Sequence, residues 1–151
     1  MKLWRDLLNN QVLMASVIGW LVAQALKTII DFAFNKEFRA ERLTGSGGMP
    51  SSHSATVCAL ATSTGYRCGV SSFEFAVSFV LAAVVMYDAI GVRRETGKQA
   101  KLLNTLMQQE PFKLDGEEFQ VALKEFVGHT PMQVLVGAAL GVLVAVLFQY
   151  R

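Results

Sequence analysis

Four long apolar stretches, separated by short polar segments, constrain this chain more than any other feature. They span residues 13–30, 55–70, 73–90 and 132–148. A helix needs about 20 apolar residues to cross the hydrocarbon of a bilayer, and about 17 at the short limit. We therefore predict an all-α, integral membrane helical bundle with about four short transmembrane helices. A soluble helical bundle is the alternative.

Composition supports the membrane prediction. Of the 151 residues, 52% are hydrophobic and only 17% are charged, whereas soluble domains carry about a quarter charged residues. The formal net charge of +2 is too small to indicate a nucleic acid or another polyanion as partner. The length predicts one membrane-embedded domain over residues 1–151. The charged N-terminal segment leads into the first apolar stretch, which we expect to be a retained span.

The loops predict the orientation and the contacts of the bundle. With four spans, the segments 35–50 and 91–129 face one side and carry nine Lys and Arg, against four on the opposite side. The positive-inside rule then places them in the cytoplasm of a bacterial inner membrane or a plastid-type membrane. The 91–129 loop holds two amphipathic segments separated by Pro111 and Gly116, which predict one or two interfacial helices or, alternatively, a packed hairpin.

Small residues in the last apolar stretch predict close helix packing. They would let a neighbouring helix approach closely and would permit, without demanding, a homodimer. These residues are Gly137, Ala138, Ala139, Gly141 and Ala145.

Each of the two histidines lies at the start of an apolar helix. His53 lies in GGMPSSHSA at 47–55, where a glycine-rich turn meets a helix start that serines can cap. Free N–H groups and the helix dipole make such a start an anion site. A capped helix with an idle histidine is the alternative. His129 precedes a T-x-x-Q capping box of Thr130 and Gln133, and Gln133 either caps the helix or orients His129.

Charged side chains accompany both histidines. Lys27 lies near the end of the first span with Gln24 and Asp31 on its face, and an ionisable residue within a span predicts a functional site. An ion pair of Lys27 with Asp31, or snorkelling to the interface, is the alternative.

A carboxylate ends the third apolar stretch. Asp88 opposes the helix dipole there, so it needs a cationic partner, and either Arg93 or Arg94 is close enough to supply one. Two adjacent arginines also suit a phosphoryl group, which accepts paired N–H donors.

These residues together describe a phosphate-ester site without a metal or another cofactor. The spacing of His, Cys and carboxylates matches no metal-ligand motif. Metal-independent phosphoryl transfer needs a side-chain nucleophile, a proton donor for the leaving oxygen and fixed positive charge. The chain offers a candidate for each.

Three blocks of the sequence resemble the divergent branch of the type-2 phosphatidic acid phosphatase and haloperoxidase superfamily. MPSSHSA at 49–55 is similar to its P-S-G-H block, and YDAIGVRR at 87–94 and GHTP at 128–131 resemble the other two. The resemblance implies that His129 attacks phosphorus and that His53 protonates the leaving oxygen. It also implies phosphate binding by a further set of groups: Lys27, Arg93 or Arg94, the Ser51 hydroxyl and the Ser52 amide.

Two positions depart from the superfamily pattern. Phe34 occupies the place of the arginine in K-x₆-R-P, and Arg39 or, preferably, Arg42 would replace that arginine from the loop. Gln133 occupies the place of the aspartate in H-x₃-D. The carboxylate of Asp88 would then assist His129.

The leading functional hypothesis is a membrane phosphatase that hydrolyses a lipid phosphate monoester through a phosphohistidine. Phosphatidylglycerophosphate and phosphatidic acid are the first expected substrates, and polyprenyl (pyro)phosphates the next. The alternative is a non-catalytic membrane protein that binds anionic lipids or a partner. Vanadate-dependent peroxidation is disfavoured, because the chain lacks the larger soluble scaffold of those enzymes.

Overall fold

The computed structural model describes residues 2–36, 48–107, 123 and 128–149. Within these ranges the chain forms six α-helices. They are α1 (Lys2–Asn9), α2 (Gln11–Asn35), α3 (Ser52–Cys68), α4 (Phe73–Ile90), α5 (Val92–Met107) and α6 (Pro131–Gln149). The predicted helical membrane bundle is confirmed, and each apolar stretch lies within or largely overlaps one helix.

Three segments of the described ranges are long and apolar enough to cross a membrane. They are Gln11–Asn35, Phe73–Met107, which joins α4 to α5, and Pro131–Gln149. The first is longer than its apolar stretch because caps outside that stretch delimit it. Asn10 accepts a hydrogen bond from Leu13 N at 3.1 Å, and Lys36 ends the helix in the left-handed conformation with φ 52°.

The fourth predicted span, α3, is the most polar and the most enclosed. It has 17 residues and packs against α2, α4 and α6. Its buried positions include Ser54, Ser63 and Thr64. A helix that faces other helices can carry small polar residues, whereas one that faces lipid must be apolar. The neighbours of α3 therefore explain why its hydropathy is lower than that of the outer helices.

Glycines bring the outer helices against the backbone of α3. A Cβ at Gly137 would overlap the Ser51 backbone, and one at Gly141 would overlap the carbonyl of Ala55. From α2, a Cβ at Gly19 would lie 3.1 Å from that of Ala59 and 3.3 Å from the Ala55 carbonyl oxygen. These contacts confirm the close packing predicted from the small residues of the last stretch.

The helix α1 was missed at the sequence level. Its eight residues are all exposed, with Leu3, Trp4 and Leu7 on an apolar face. We expected this charged segment only to lead into the first span, and the structure shows it as a separate helix because Asn10 caps α2 anew. Eight residues are too few to show as a separate apolar stretch.

The helix α5 confirms the first of the two amphipathic segments predicted in the 91–129 loop. It follows α4 directly after Gly91. Near its end the Asn104 side chain donates to Leu123 O at 2.9 Å and accepts from Leu123 N at 3.0 Å. Apart from Leu123, the second amphipathic segment lies outside the described residues. These two bonds fasten the returning chain to α5.

Candidate functional site

Four helix termini meet at one end of the bundle. They are the starts of α3, α5 and α6 and the end of α4. Two backbone bonds join them: His129 N donates to Ala89 O at 3.0 Å, and Ser51 N donates to Gln133 O at 3.1 Å. The rings of His53 and His129 lie edge to face with centroids 6.4 Å apart. The fold therefore brings together two imidazoles that are distant along the chain.

Gly128 sets the position of His129. Its φ is +96°, and a Cβ there would overlap the backbone of Arg93 and Arg94. Only glycine combines this backbone conformation with so close an approach. The residue before His129 is thus held against the first turn of α5, while His129 itself is bonded to the last turn of α4.

His129 is the more enclosed of the two imidazoles. It is 3% exposed, and within the described part of the chain neither ring nitrogen has a hydrogen-bond partner. Burial lowers the pKa of His129 to about 4, helped by the nearby His53, Lys27 and Arg93. A buried polar group without a partner costs about 1–3 kcal/mol, so its presence in a native site points to a ligand. The His129 ring is therefore neutral above about pH 4.

His53 lies in the first turn of α3, before the apolar stretch that starts at Ala55, and its ring is partly solvent-exposed. Partial burial lowers its pKa first, followed by the charges of Arg93 and Lys27, while the carboxylate of Asp88 raises it. The same two cations therefore act on both imidazoles. Such a field favours a negative ligand between the rings.

Lys27 supplies a buried cation from α2. It is 3% exposed, and its Nζ donates to Gln24 Oε1 at 2.6 Å. Gly48, with φ +86°, lies against its aliphatic stem, because a Cβ there would be 3.3 Å from Lys27 Cγ. Gly48, which precedes α3, therefore packs on the Lys27 side chain. The hydrogen bond to Gln24 fixes the position of the ammonium group.

Asp88 and Gln133 are both engaged away from His129. Asp88 Oδ2 accepts from Arg93 Nε at 2.6 Å, which confirms the predicted partner of that carboxylate. Gln133 Oε1 accepts from Thr130 N at 3.0 Å, and Gln133 N donates to Thr130 Oγ1 at 3.3 Å. The capping box predicted from the sequence is therefore formed. Neither the Asp88 nor the Gln133 side chain bonds the His129 ring, so neither of them orients it in this structure.

The start of α3 presents backbone donors to the same space. Ser51 is fully buried and caps the helix, its Oγ accepting from Ser54 N at 3.4 Å and from Ser54 Oγ at 3.0 Å. The amides of Ser52 and His53 belong to the first turn, where N–H groups have no intrahelical acceptor. With the positive end of the helix dipole, they form an anion-binding surface beside the two rings.

Comparison with known proteins identifies the family of this chain. The sequence pattern described as the Divergent PAP2 family matches residues 8–144. The chain belongs to the Divergent PAP2 family. It is similar to the uncharacterized membrane protein YuiD of Bacillus subtilis (strain 168), with 38% identity over 154 residues that cover 96% of this chain and 98% of that protein. No solved structure matches the present chain.

Membership in the Divergent PAP2 family confirms the resemblance found in the three sequence blocks. The membrane relative and the apolar helices establish an integral membrane location. The family also suggests a phosphatase-like role, and the residues of all three blocks meet at one end of this bundle. The YDAIGVRR block supplies the end of α4 and the start of α5, between the two histidine blocks.

Of the remaining site candidates of this Divergent PAP2 chain, the structure describes Arg94. The Arg94 backbone contacts Gly128, but its side chain is exposed on α5. Arg39 and Arg42 lie outside the described residues. Among the side chains that are described, no three His, Cys, Asp or Glu group as metal ligands.

Two contributors were missed at the sequence level: the Ala89 carbonyl and Gly128. A glycine directly before the histidine of a helix start was the only signal for either of them. Gln24 was expected on the same helix face as Lys27, and the two side chains are hydrogen-bonded there.

Proposed function

We propose that this chain is a membrane phosphatase that hydrolyses a lipid phosphate monoester through a phosphohistidine at His129, without a metal ion. The observation that carries the proposal is the pair of imidazoles 6.4 Å apart, of which His129 is buried with both nitrogens unpartnered in the described structure. A buried, neutral imidazole beside two cations is suited to attack a phosphoryl group that those cations hold.

The first step transfers the phosphoryl group to the protein. A ring nitrogen of His129 attacks phosphorus, so that a P–N bond forms and the ester P–O bond breaks. The electron pair of that bond leaves with the alcohol oxygen, and protonated His53 gives this oxygen its proton. General acid catalysis of this kind contributes about 10²–10⁴-fold in rate.

The second step returns the protein to its starting state. His53, now neutral, takes a proton from a water molecule while the water oxygen attacks phosphorus. The P–N bond breaks, its electron pair returns to His129, and inorganic phosphate leaves. His53 ends protonated and His129 neutral, so one cycle consumes one ester and one water.

The spacing of the two rings supports both steps. A near-attack nitrogen lies about 3–3.5 Å from its target, and a proton donor lies about 2.6–3.2 Å from the oxygen it serves. With the P–O bond between their two targets, these reaches put the reacting nitrogens about 7–8 Å apart in an in-line arrangement. Ring centroids 6.4 Å apart bring the two imidazoles to this range, because the nitrogens lie at the ring edges.

Fixed positive charge would stabilise the phosphoryl oxygens. Lys27 and Arg93 act electrostatically on both imidazoles, and the Ser52 amide lies at the start of the same helix as His53. Donors that are already oriented cost no reorganisation during the reaction. The Ser51 hydroxyl accepts two bonds from Ser54, which leaves its own proton to donate to the bound phosphate.

The position of the site supports a lipid substrate. The phosphate site lies where apolar helices end, so a bound headgroup would leave its acyl chains along the outer faces of those helices. Phosphatidylglycerophosphate and phosphatidic acid are the first candidates, and polyprenyl (pyro)phosphates the next. The positive loops favour a cytoplasmic site.

The test is phosphate release by detergent-purified protein in EDTA, with His129→Asn and His53→Asn. We expect His129→Asn to reduce release from phosphatidic acid to background. In His53→Asn the first step should lose about 10²–10⁴-fold with this alcohol leaving group, but the first-turnover release of 4-nitrophenol from 4-nitrophenyl phosphate should fall far less, because that leaving oxygen needs no proton. An acid-labile phosphoprotein should accumulate in His53→Asn, because the second step has lost its base.

Met132→Ala is the matched control, since Met132 lies near His129 in sequence but is 63% exposed. It should retain wild-type turnover. Full phosphate release by His129→Asn would refute the proposed nucleophile.

A second candidate function, anionic-lipid binding without turnover, has one specific observation in its favour. Asp88 is engaged by Arg93, and Gln133 by the capping box, so neither of these two side chains supports the His129 ring. Binding of phosphatidic acid to wild-type protein, with no phosphate released from any substrate of the panel, would favour this function over the phosphatase.

A further inference from the structure

The helix α5 exposes an apolar surface although it begins at the site. Val92, Leu102, Leu103 and Leu106 are 40–61% exposed. At 3.6 residues per turn they share one side of the helix. The buried residues Gly97, Ala100 and Asn104 occupy another side, where Asn104 holds Leu123. The apolar side is therefore left facing outward within the described structure.

A row of cations borders this apolar surface. Arg94, Lys98 and Lys101 follow one another at spacings of four and three residues, which places them on one stripe of the helix. All three are exposed, and Lys98 Nζ binds Glu95 Oε1 at 2.6 Å. The stripe formed by these three residues keeps an excess of positive charge beside the apolar side chains.

The position of α5 places this surface at the membrane boundary. Only Gly91 separates it from the end of α4. Within the candidate span Phe73–Met107 the continuous apolar run is α4, whereas α5 carries five charged side chains. A helix that joins the end of a span and has an apolar side flanked by lysine and arginine is typical of the headgroup region.

We propose that α5 lies in the membrane interface and that the Arg94–Lys98–Lys101 stripe binds the headgroups of anionic phospholipids that are not turned over. Charge complementarity selects anionic lipids as the occupant, because each lysine or arginine at a membrane surface raises the binding affinity for an anionic membrane by about fivefold. The apolar side chains account for contact with the acyl region of the same lipids. The binding does not depend on the phosphatase reaction.

The test measures lipid contact directly. Leu102→Cys, in a Cys68→Ser background because Cys68 is exposed, is labelled with a fluorophore, and the protein is reconstituted in nanodiscs. Phosphatidylglycerol and phosphatidylcholine, each brominated near the headgroup, are compared as quenchers at equal mole fraction. We expect stronger quenching by phosphatidylglycerol, and loss of the difference in Lys98→Gln/Lys101→Gln and at high salt.

Lys2→Gln/Arg67→Gln is the matched control, because it removes the same charge from exposed positions in α1 and at the end of α3, away from the site. It should keep the preference. Equal quenching by the two lipids in otherwise unsubstituted protein would overturn the proposal. Failure of both lipids to quench would also overturn it, since α5 would then face protein or water. Neither readout requires phosphate release, so the phosphatase proposal is tested separately.

Discussion

The two imidazoles of the site are presented by two helix starts that are held in different ways. His129 precedes α6 and is 3% exposed, its backbone bonded to Ala89 and its neighbour Gly128 pressed on the start of α5. His53 lies within the first turn of α3 and is exposed to solvent. Both helices are capped by side chains, so capping alone does not distinguish them.

The difference teaches which imidazole suits which task. A nucleophile must be neutral and held in register with phosphorus, and burial together with two backbone contacts achieves this for His129. A group that gives up and regains protons must exchange them with water, as exposed His53 can. Under the proposed function, these differences assign the attack on phosphorus to His129 and the proton transfers to His53.

The largest effect that would break this comparison is expected at Gly128. In Gly128→Ala the new methyl group meets the Arg93 and Arg94 backbone, so the segment must move and carry His129 with it. A displacement of about 1 Å at a reacting group costs about 10²-fold in rate. Overpacking should lower the free energy of unfolding by about 1–3 kcal/mol. Phosphate-release kinetics and thermal unfolding measure the two effects.

Gly69→Ala is a close control for this variant. Gly69 also has a positive φ, of +84°, but nothing lies within 4 Å of its Cβ position. Its substitution should cost about 1–2 kcal/mol in stability through backbone strain and leave turnover unchanged. If both alanine variants lose activity equally, the contact between Gly128 and α5 does not set the position of His129.

The next prediction sharpens the comparison through pKa values. Arg93 lowers the pKa of both rings and also binds Asp88, whose carboxylate raises the pKa of His53. Arg93→Gln should therefore raise both pKa values, and that of His53 by more, because its carboxylate neighbour is released. Titration of the two imidazoles by NMR in detergent measures the shifts.

The direction of the His129 pKa shift has a consequence for the kinetics. Wild-type His129, with its pKa lowered to about 4, remains a neutral nucleophile down to that pH. The acid limb of kcat/KM should lie near pH 4 and move upward in Arg93→Gln. Arg67→Gln, which removes an exposed cation at the end of α3, should change neither ring. An unchanged or lowered His129 pKa in Arg93→Gln would contradict this account of the field.

Much of the fold was predictable because lipid imposes continuous apolar runs. The stretch 73–90 coincides with α4, and 132–148 differs from α6 by one residue at each end. The polar dilution of α3 could not be interpreted from sequence, since it depends on enclosure by three helices. α1 was missed for a different reason: its eight residues are too few to show as an apolar stretch separate from the span that follows.

The site was predictable where function and local chemistry coincide. His53 and His129 each lie beside a recognisable helix start, and the loop parity of a four-span chain places both starts at one end. The contact of Gly128 with α5 and the bond from His129 N to the Ala89 carbonyl depend on how distant segments approach one another. Hydropathy and capping patterns contain no information about such approaches.

The smallest predicted effect distinguishes two roles of Gln133, capping α6 and orienting His129. Gln133→Ala removes the hydrogen bond that Thr130 N donates to Gln133 Oε1, and it should lower the free energy of unfolding by about 1 kcal/mol. Because this amide does not bond the His129 ring, kcat should remain close to wild type when measured below the unfolding temperature. Thr130→Ala, which removes the reciprocal bond, should have a similar effect on stability and kinetics. If Gln133→Ala instead loses kcat while Thr130→Ala retains it, Gln133 orients the nucleophile during turnover, and the replacement of the superfamily aspartate is functional and not merely structural.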